Sequence, residues 1–165
     1  FLNATERTYD LMWIDAFARD MIPFHLTTSE FYSLVRTRLT QDGVLAVNLA
    51  SSSKGGDLAR AAAVVQTLHQ SFPALLTFAV EGPWRTGMTP AKNLIFFGGR
   101  PIEDESAEEI ETRIAEMAQN HRLPVESIAL LSTRRTEPWP AGVVLTDDFA
   151  PYDLLLGRER SPLAE

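Results

Sequence analysis

The order of segments predicts an α/β fold, a mostly parallel sheet flanked by helices, and three observations carry that prediction. Residues 9–17 hold four apolar residues in succession, Leu11, Met12, Trp13 and Ile14, without the polar alternation of a half-exposed strand. Residues 44–49 form a second such run. Between the two, Phe31, Leu34, Val35 and Leu39 recur at helical spacing. Strands joined through a helix imply parallel neighbours and right-handed crossovers, and ligands in such sheets sit beyond the carboxyl ends of the strands. Segments 15–26, 48–57 and 81–93 meet that condition.

The first strand, over 9–17, is expected to be buried on both faces. Thr27 and Glu30 have capping-box spacing, which predicts a helix over 28–39. Asp42-Gly43 signals a turn, and strand 44–49 follows. After a small polar loop at 51–56, Asp57 can cap a helix whose stripe is Leu58, Ala61, Ala62, Val65 and Leu68, with Pro73 just past its end. Strands are predicted at 74–80 and 93–97. No helical pattern fits between them, so they read as an antiparallel edge to the sheet. Ser106 and Glu109 form a second capping box, opening a helix with Ile110, Ile114 and Met117 on one face. The acidic run 103–109 suits that helix's N-terminal dipole and reads as a solvated face. Pro138-Trp139-Pro140 and Gly142 mark an extended loop before the last apolar segment, 143–145.

At 165 residues the chain is one domain's worth, and residues 1–165 read as a single domain. Fifteen basic against 22 acidic residues leave a net charge of -7, which argues against nucleic acid as a partner. The absence of cysteine excludes disulfides, thiolate zinc sites and thiol nucleophiles. His25, His69 and His121 show no paired ligand spacing, so no metal site is expected. Apolar runs fall well short of the roughly 20 residues that span a bilayer, and the chain reads as soluble. It starts at Phe1 with a short polar stretch leading into a strand, as part of a larger protein would.

Asp15 ends the first strand, directly after four apolar residues, where a carboxylate is partly desolvated and open to pKa tuning. It suits a general base, or equally an acceptor of nearby backbone amides. Asp20, in the same loop, suits either a cationic substrate or a turn. His25 follows Pro23 and Phe24 and either lines a pocket or packs beside the next helix. Ser51, Ser52 and Ser53 lack the setting of a hydrolase nucleophile, and Gly55-Gly56 is a weak phosphate-loop signal. The segment LTDDFAPYD, residues 145–153, gathers Asp147, Asp148 and Asp153 around Phe149 and Tyr152. Carboxylates beside aromatic rings are what an organic polycation needs, and they also make a polar turn.

The ordered set YDLMWIDAF, Ile22-Pro23 with His25-Leu26, TTSEFYSLVRTRL, DGVLAVNL and LTDDFAPYD resembles the C-terminal half of spermidine synthase-like proteins. The likeness runs from Tyr9 to about Gly99 and resumes at Leu145. It implies a Rossmann-like, methyltransferase-type fold, present here in part, as the C-terminal part of a larger catalytic domain. It also implies aminopropyl transfer from decarboxylated S-adenosylmethionine to a small-molecule amine. Asp15 matches the family's proton-accepting aspartate. Asp20, His25, Asp148 and Tyr152 become substrate-binding candidates, and strands 74–80 and 93–97 become the hairpin that closes the sheet. The family's glycine-rich cofactor loop belongs upstream of this chain, so the chain alone is expected not to hold a nucleoside. The family's Asp-Ser-x-Asp pattern is replaced by Asp15-Ala16-Phe17-Ala18. An S-adenosylmethionine-dependent methyltransferase and a non-catalytic binding domain are the competing readings. A homodimer, a membrane-helix domain fused upstream and a cytoplasmic location complete the expectations.

Overall fold

The computed structural model describes residues 1–16, 23–51, 57–82, 91–120, 122 and 131–151. Strands β1 (Tyr9–Ile14), β2 (Leu39–Ala50), β3 (Leu75–Gly82) and β4 (Ala91–Gly99) form one sheet in the order β1-β2-β4-β3. β1 runs parallel to β2, while β4 is antiparallel to both β2 and β3. Three strands therefore point one way and β4 alone opposes them. This is an α/β sheet of partial Rossmann-like form. The late antiparallel pair forms one side of the sheet as expected, with β4 next to β2 and β3 beyond it. Residues 133–135 extend the sheet past β3, through Ala79 N–H to Thr133 O at 2.8 Å and Arg135 N–H to Thr77 O at 2.7 Å.

Helices α1 (Ser29–Arg38) and α2 (Leu58–Leu68) bury one face of the sheet. Tyr32 and Val35 of α1 and Val64, Val65 and Leu68 of α2 join Ile14, Leu45, Val47, Leu49, Leu94 and Phe96 in one core. Side chains alternate along a strand, so the residues between these point to the other face. There Leu11 and Trp13 are exposed, at 58 % and 57 %, which corrects the expectation of a first strand buried on both sides. No described helix packs over them. On the same face, farther along the sheet, Phe78 and Phe97 meet edge to face at 5.9 Å.

Three local expectations shift. The N-cap of α1 is Thr28, which accepts from Phe31 N–H at 3.3 Å, while Thr27 donates to Phe24 O at 2.6 Å. Asp42-Gly43 makes no chain reversal. It lies in an irregularity of β2, where pairing jumps from Tyr9↔Leu39 to Leu11↔Val44, with one residue between them on β1 and four on β2. The acidic run 103–109 is tied down in part. Glu103 in the short helix α3 (Arg100–Asp104) holds Arg36 in a two-pronged pair at 2.9 and 3.0 Å, and Glu105 holds Arg113. The Ser106–Glu109 capping box of α4 (Ala107–Gln119) forms as expected. Ser106, chiefly through the backbone N–H it donates to the Glu109 carboxylate at 2.8 Å and also through its side chain, holds that carboxyl below the usual glutamate range.

Residues 138–145 return across α2 and close the core. Trp139 packs on Phe96, their rings 6.0 Å apart, and carries the Arg135 guanidinium 4.3 Å from its ring centre. Leu145 is fully buried. Its N–H donates to Thr67 Oγ1 at 2.9 Å and its carbonyl accepts from Ser29 N–H at 2.8 Å. Thr67→Val keeps the volume of the side chain but removes that acceptor, leaving a buried N–H without it. The expected cost is about 1–3 kcal/mol in urea denaturation, and Thr67→Ser should recover part of it. Equal stability of the Val variant would show that Leu145 finds another partner.

Candidate active site

A groove of about 870 Å³ runs along β1 to its carboxyl end. Its walls come from the N-terminal residues 1–3, β1, the 3-10 turn Phe24–Leu26, the first turns of α1 and Asp147 in the tight turn at 146–149. Tyr9, Met12, Trp13, Phe31, Leu34 and Val35 supply an apolar and aromatic wall, and Asp15, Glu30 and Asp147 supply three carboxylates. His25 also lines it, whereas no Lys or Arg does so among the described residues.

Asp15 follows the last residue of β1. Because Ile14 is opposite Val47, Asp15 comes level with Asn48 on β2, whose Nδ2 donates to Asp15 Oδ1 at 3.0 Å. That bond orients the carboxylate of a residue that lines the groove. The sequence had suggested partial desolvation and backbone-amide partners. Instead the side chain is exposed and its donor is a side-chain amide, because it stands beyond the paired part of an outer strand. Asn48 was missed; the signal for it is a lone polar residue near the carboxyl end of an apolar strand.

His25 is exposed, its ring edge-on to Phe24 at 5.7 Å, and it faces the groove rather than packing away from it. Asp20 and Tyr152 lie outside the described residues. Asp148 is exposed and absent from the groove's described lining, while its neighbour Asp147 is present. The reason is the turn itself. Thr146 and Phe149 exchange backbone hydrogen bonds at 2.9 and 3.0 Å, and Thr146 Oγ1 also accepts from Phe149 N–H, so 147 and 148 are directed differently at its tip.

Glu30, unassigned by the sequence reading, carries the densest hydrogen bonding in the groove. Its own backbone N–H, at the start of α1, is the main influence holding its carboxyl below the usual glutamate range, and burial opposes this only partly. Ser29 Oγ donates to Oε2 at 3.0 Å, and Asp147 N–H donates to the same oxygen at 3.1 Å. Among the described residues no group of three or more acidic or histidine side chains could hold a metal ion. None of their helices is long and apolar enough to cross a membrane.

The partial Rossmann-like sheet, with an acidic, aromatic-walled groove beside a strand's carboxyl end, puts the chain in the class of α/β folds whose ligands bind at that end. Comparison with known proteins narrows that class. The chain is 28 % identical to a probable polyamine aminopropyl transferase of Bifidobacterium longum, over 94 % of this chain and 36 % of that protein. It is also 28 % identical to a polyamine aminopropyltransferase of Vibrio vulnificus, over 89 % of this chain and 46 % of that protein. This likeness supports a spermidine synthase-like family. No family model matches. A crystal structure of a probable spermidine synthase from Corynebacterium glutamicum superposes with a TM-score of 0.46 at 23 % identity, covering 59 % of this chain and 34 % of the other. The chain spans less than half the length of the curated relatives it matches.

Proposed function

We propose that the complete protein transfers an aminopropyl group from decarboxylated S-adenosylmethionine to an amine, and that this groove holds the amine. The observation that carries the reading is the lining: the carboxylates of Asp15 and Asp147, an aromatic wall and no described Lys or Arg, which favours an organic cation by charge and by contact with ring faces. The likeness to polyamine aminopropyltransferases agrees with it. In this reading Asp15 is the general base, held by Asn48. The amine nitrogen attacks the propyl carbon next to sulfur, the carbon–sulfur bond breaks to leave a neutral thioether, and the proton lost by nitrogen passes to Asp15. His25 lines the amine's path, and Asp20 and Tyr152 remain candidates for its far end.

The test uses the complete protein with a linear diamine and, in parallel, decarboxylated S-adenosylmethionine or S-adenosylmethionine. Formation of methylthioadenosine with the first donor alone is expected. Methyl transfer from the second donor would overturn the reading in favour of a methyltransferase, and no turnover with either would leave a binding domain.

A further inference from the structure

We propose that Glu30 is a positioning residue, which holds the turn at 146–149 so that Asp147 presents its carboxylate to the bound amine. The proposal rests on the reading of the groove as an amine site and assigns a division of labour within it.

The turn is anchored at its base and at its tip by different elements. At the base, Leu145 is held by Thr67 of α2 and by the Ser29 backbone of α1. At the tip, the first backbone N–H of the pair Asp147-Asp148 is accepted by Glu30. One oxygen of Glu30 takes both this N–H and the Ser29 hydroxyl, so the carboxylate is committed to protein donors across 117 residues of sequence. Among the described residues no hydrogen bond donated to the Asp147 carboxylate competes for its charge. The two residues thus differ in role although both line the groove: Glu30 faces inward to the turn's backbone, and Asp147 carries the charge that a cation meets. The arrangement also explains why Asp147, and not the identical residue beside it, reaches the groove.

A carbonyl oxygen can accept the Asp147 N–H as a carboxylate can, and this separates positioning from direct contact. The experiment measures binding of 1,4-diaminobutane to the complete protein by NMR titration, following the Trp13 indole and the Asp147 amide. Glu30→Gln should keep both the hydrogen-bonded shift of the Asp147 amide and the wild-type affinity. Glu30→Ala should lose that shift and weaken binding about tenfold, as should Asp147→Asn for affinity. The double variant Glu30→Ala with Asp147→Asn should be no weaker than either alone, because both act through one carboxylate. A loss in Glu30→Gln as large as in Glu30→Ala would overturn the proposal, since Glu30 would then hold the amine by its own charge. Unchanged affinity in Glu30→Ala would overturn it too, while leaving the amine reading intact. If the wild-type chain binds no diamine, the amine reading of the groove falls and the proposal falls with it.

Discussion

Asp15→Asn in the complete protein is expected to lower single-turnover aminopropyl transfer by roughly 10² to 10⁴, the usual contribution of a positioned general base. The amide matches the carboxylate in shape and still offers Asn48 an acceptor oxygen, so the orienting bond at 3.0 Å can persist. Only the capacity to take the proton is lost. Because Asp15 is exposed, its replacement should move thermal stability by no more than about 0.5 kcal/mol. Melting temperature and single-turnover rate, measured on the same preparations, separate the two roles. A stable variant with near-normal turnover would remove Asp15 from the mechanism. A variant that melts early and turns over normally per folded molecule would make Asp15 structural.

Gly99→Ala should be the most damaging small substitution in the sheet. Gly99 ends β4 at φ 146° and ψ 169°, a region that side-chain-bearing residues scarcely populate. It is also opposite Val44, where β2 carries its irregularity, and a Cβ there would collide with the Gly43 carbonyl oxygen. Backbone strain and overlap act on the same atom. Together they should cost roughly 3 kcal/mol or more in chemical denaturation. Gly43→Ala meets Tyr9 O at 2.8 Å from the other side and should also destabilise. A Gly99→Ala protein with unchanged stability would mean that the strands part freely at this point, against the close approach seen.

The parts of the fold that local pattern controls were legible. The strand–helix–strand order, the α4 capping box and the antiparallel β3–β4 pair each rest on residues close in sequence. What was hidden depends on distant partners. Nothing in residues 91–99 says that they pair with β2 on one side and β3 on the other, since either edge of an apolar strand can be filled. Adjacent threonines at 27 and 28 offer the same hydroxyl, and only the helix geometry selects the second as cap. The site divides in the same way. Asp15 is read from its place after an apolar run, whereas Asn48, Glu30 and Asp147 gain their meaning from bonds made across 33 and 117 positions. Between Asp147 and Asp148 the sequence has no means of choosing. The turn's hydrogen bonds do.

The late arrival of Leu145 has a kinetic consequence. Its buried bond to Thr67 closes a loop of 78 residues, and the Glu30–Asp147 bond closes one of 117. Joining such distant points costs more chain entropy than pairing neighbours, so contacts of this span form slowly relative to helices and hairpins. During synthesis β1, β2, both core helices and the β3–β4 hairpin can all emerge and pair while residues 138–149 are still being added. Until then α2 offers the unfilled Thr67 hydroxyl and an uncovered backbone at Ala62 and Ala63, where Gly142 will settle. Completion of the core and assembly of the groove's acidic rim are therefore one event on the ribosome, and a nascent chain arrested before residue 145 should present neither.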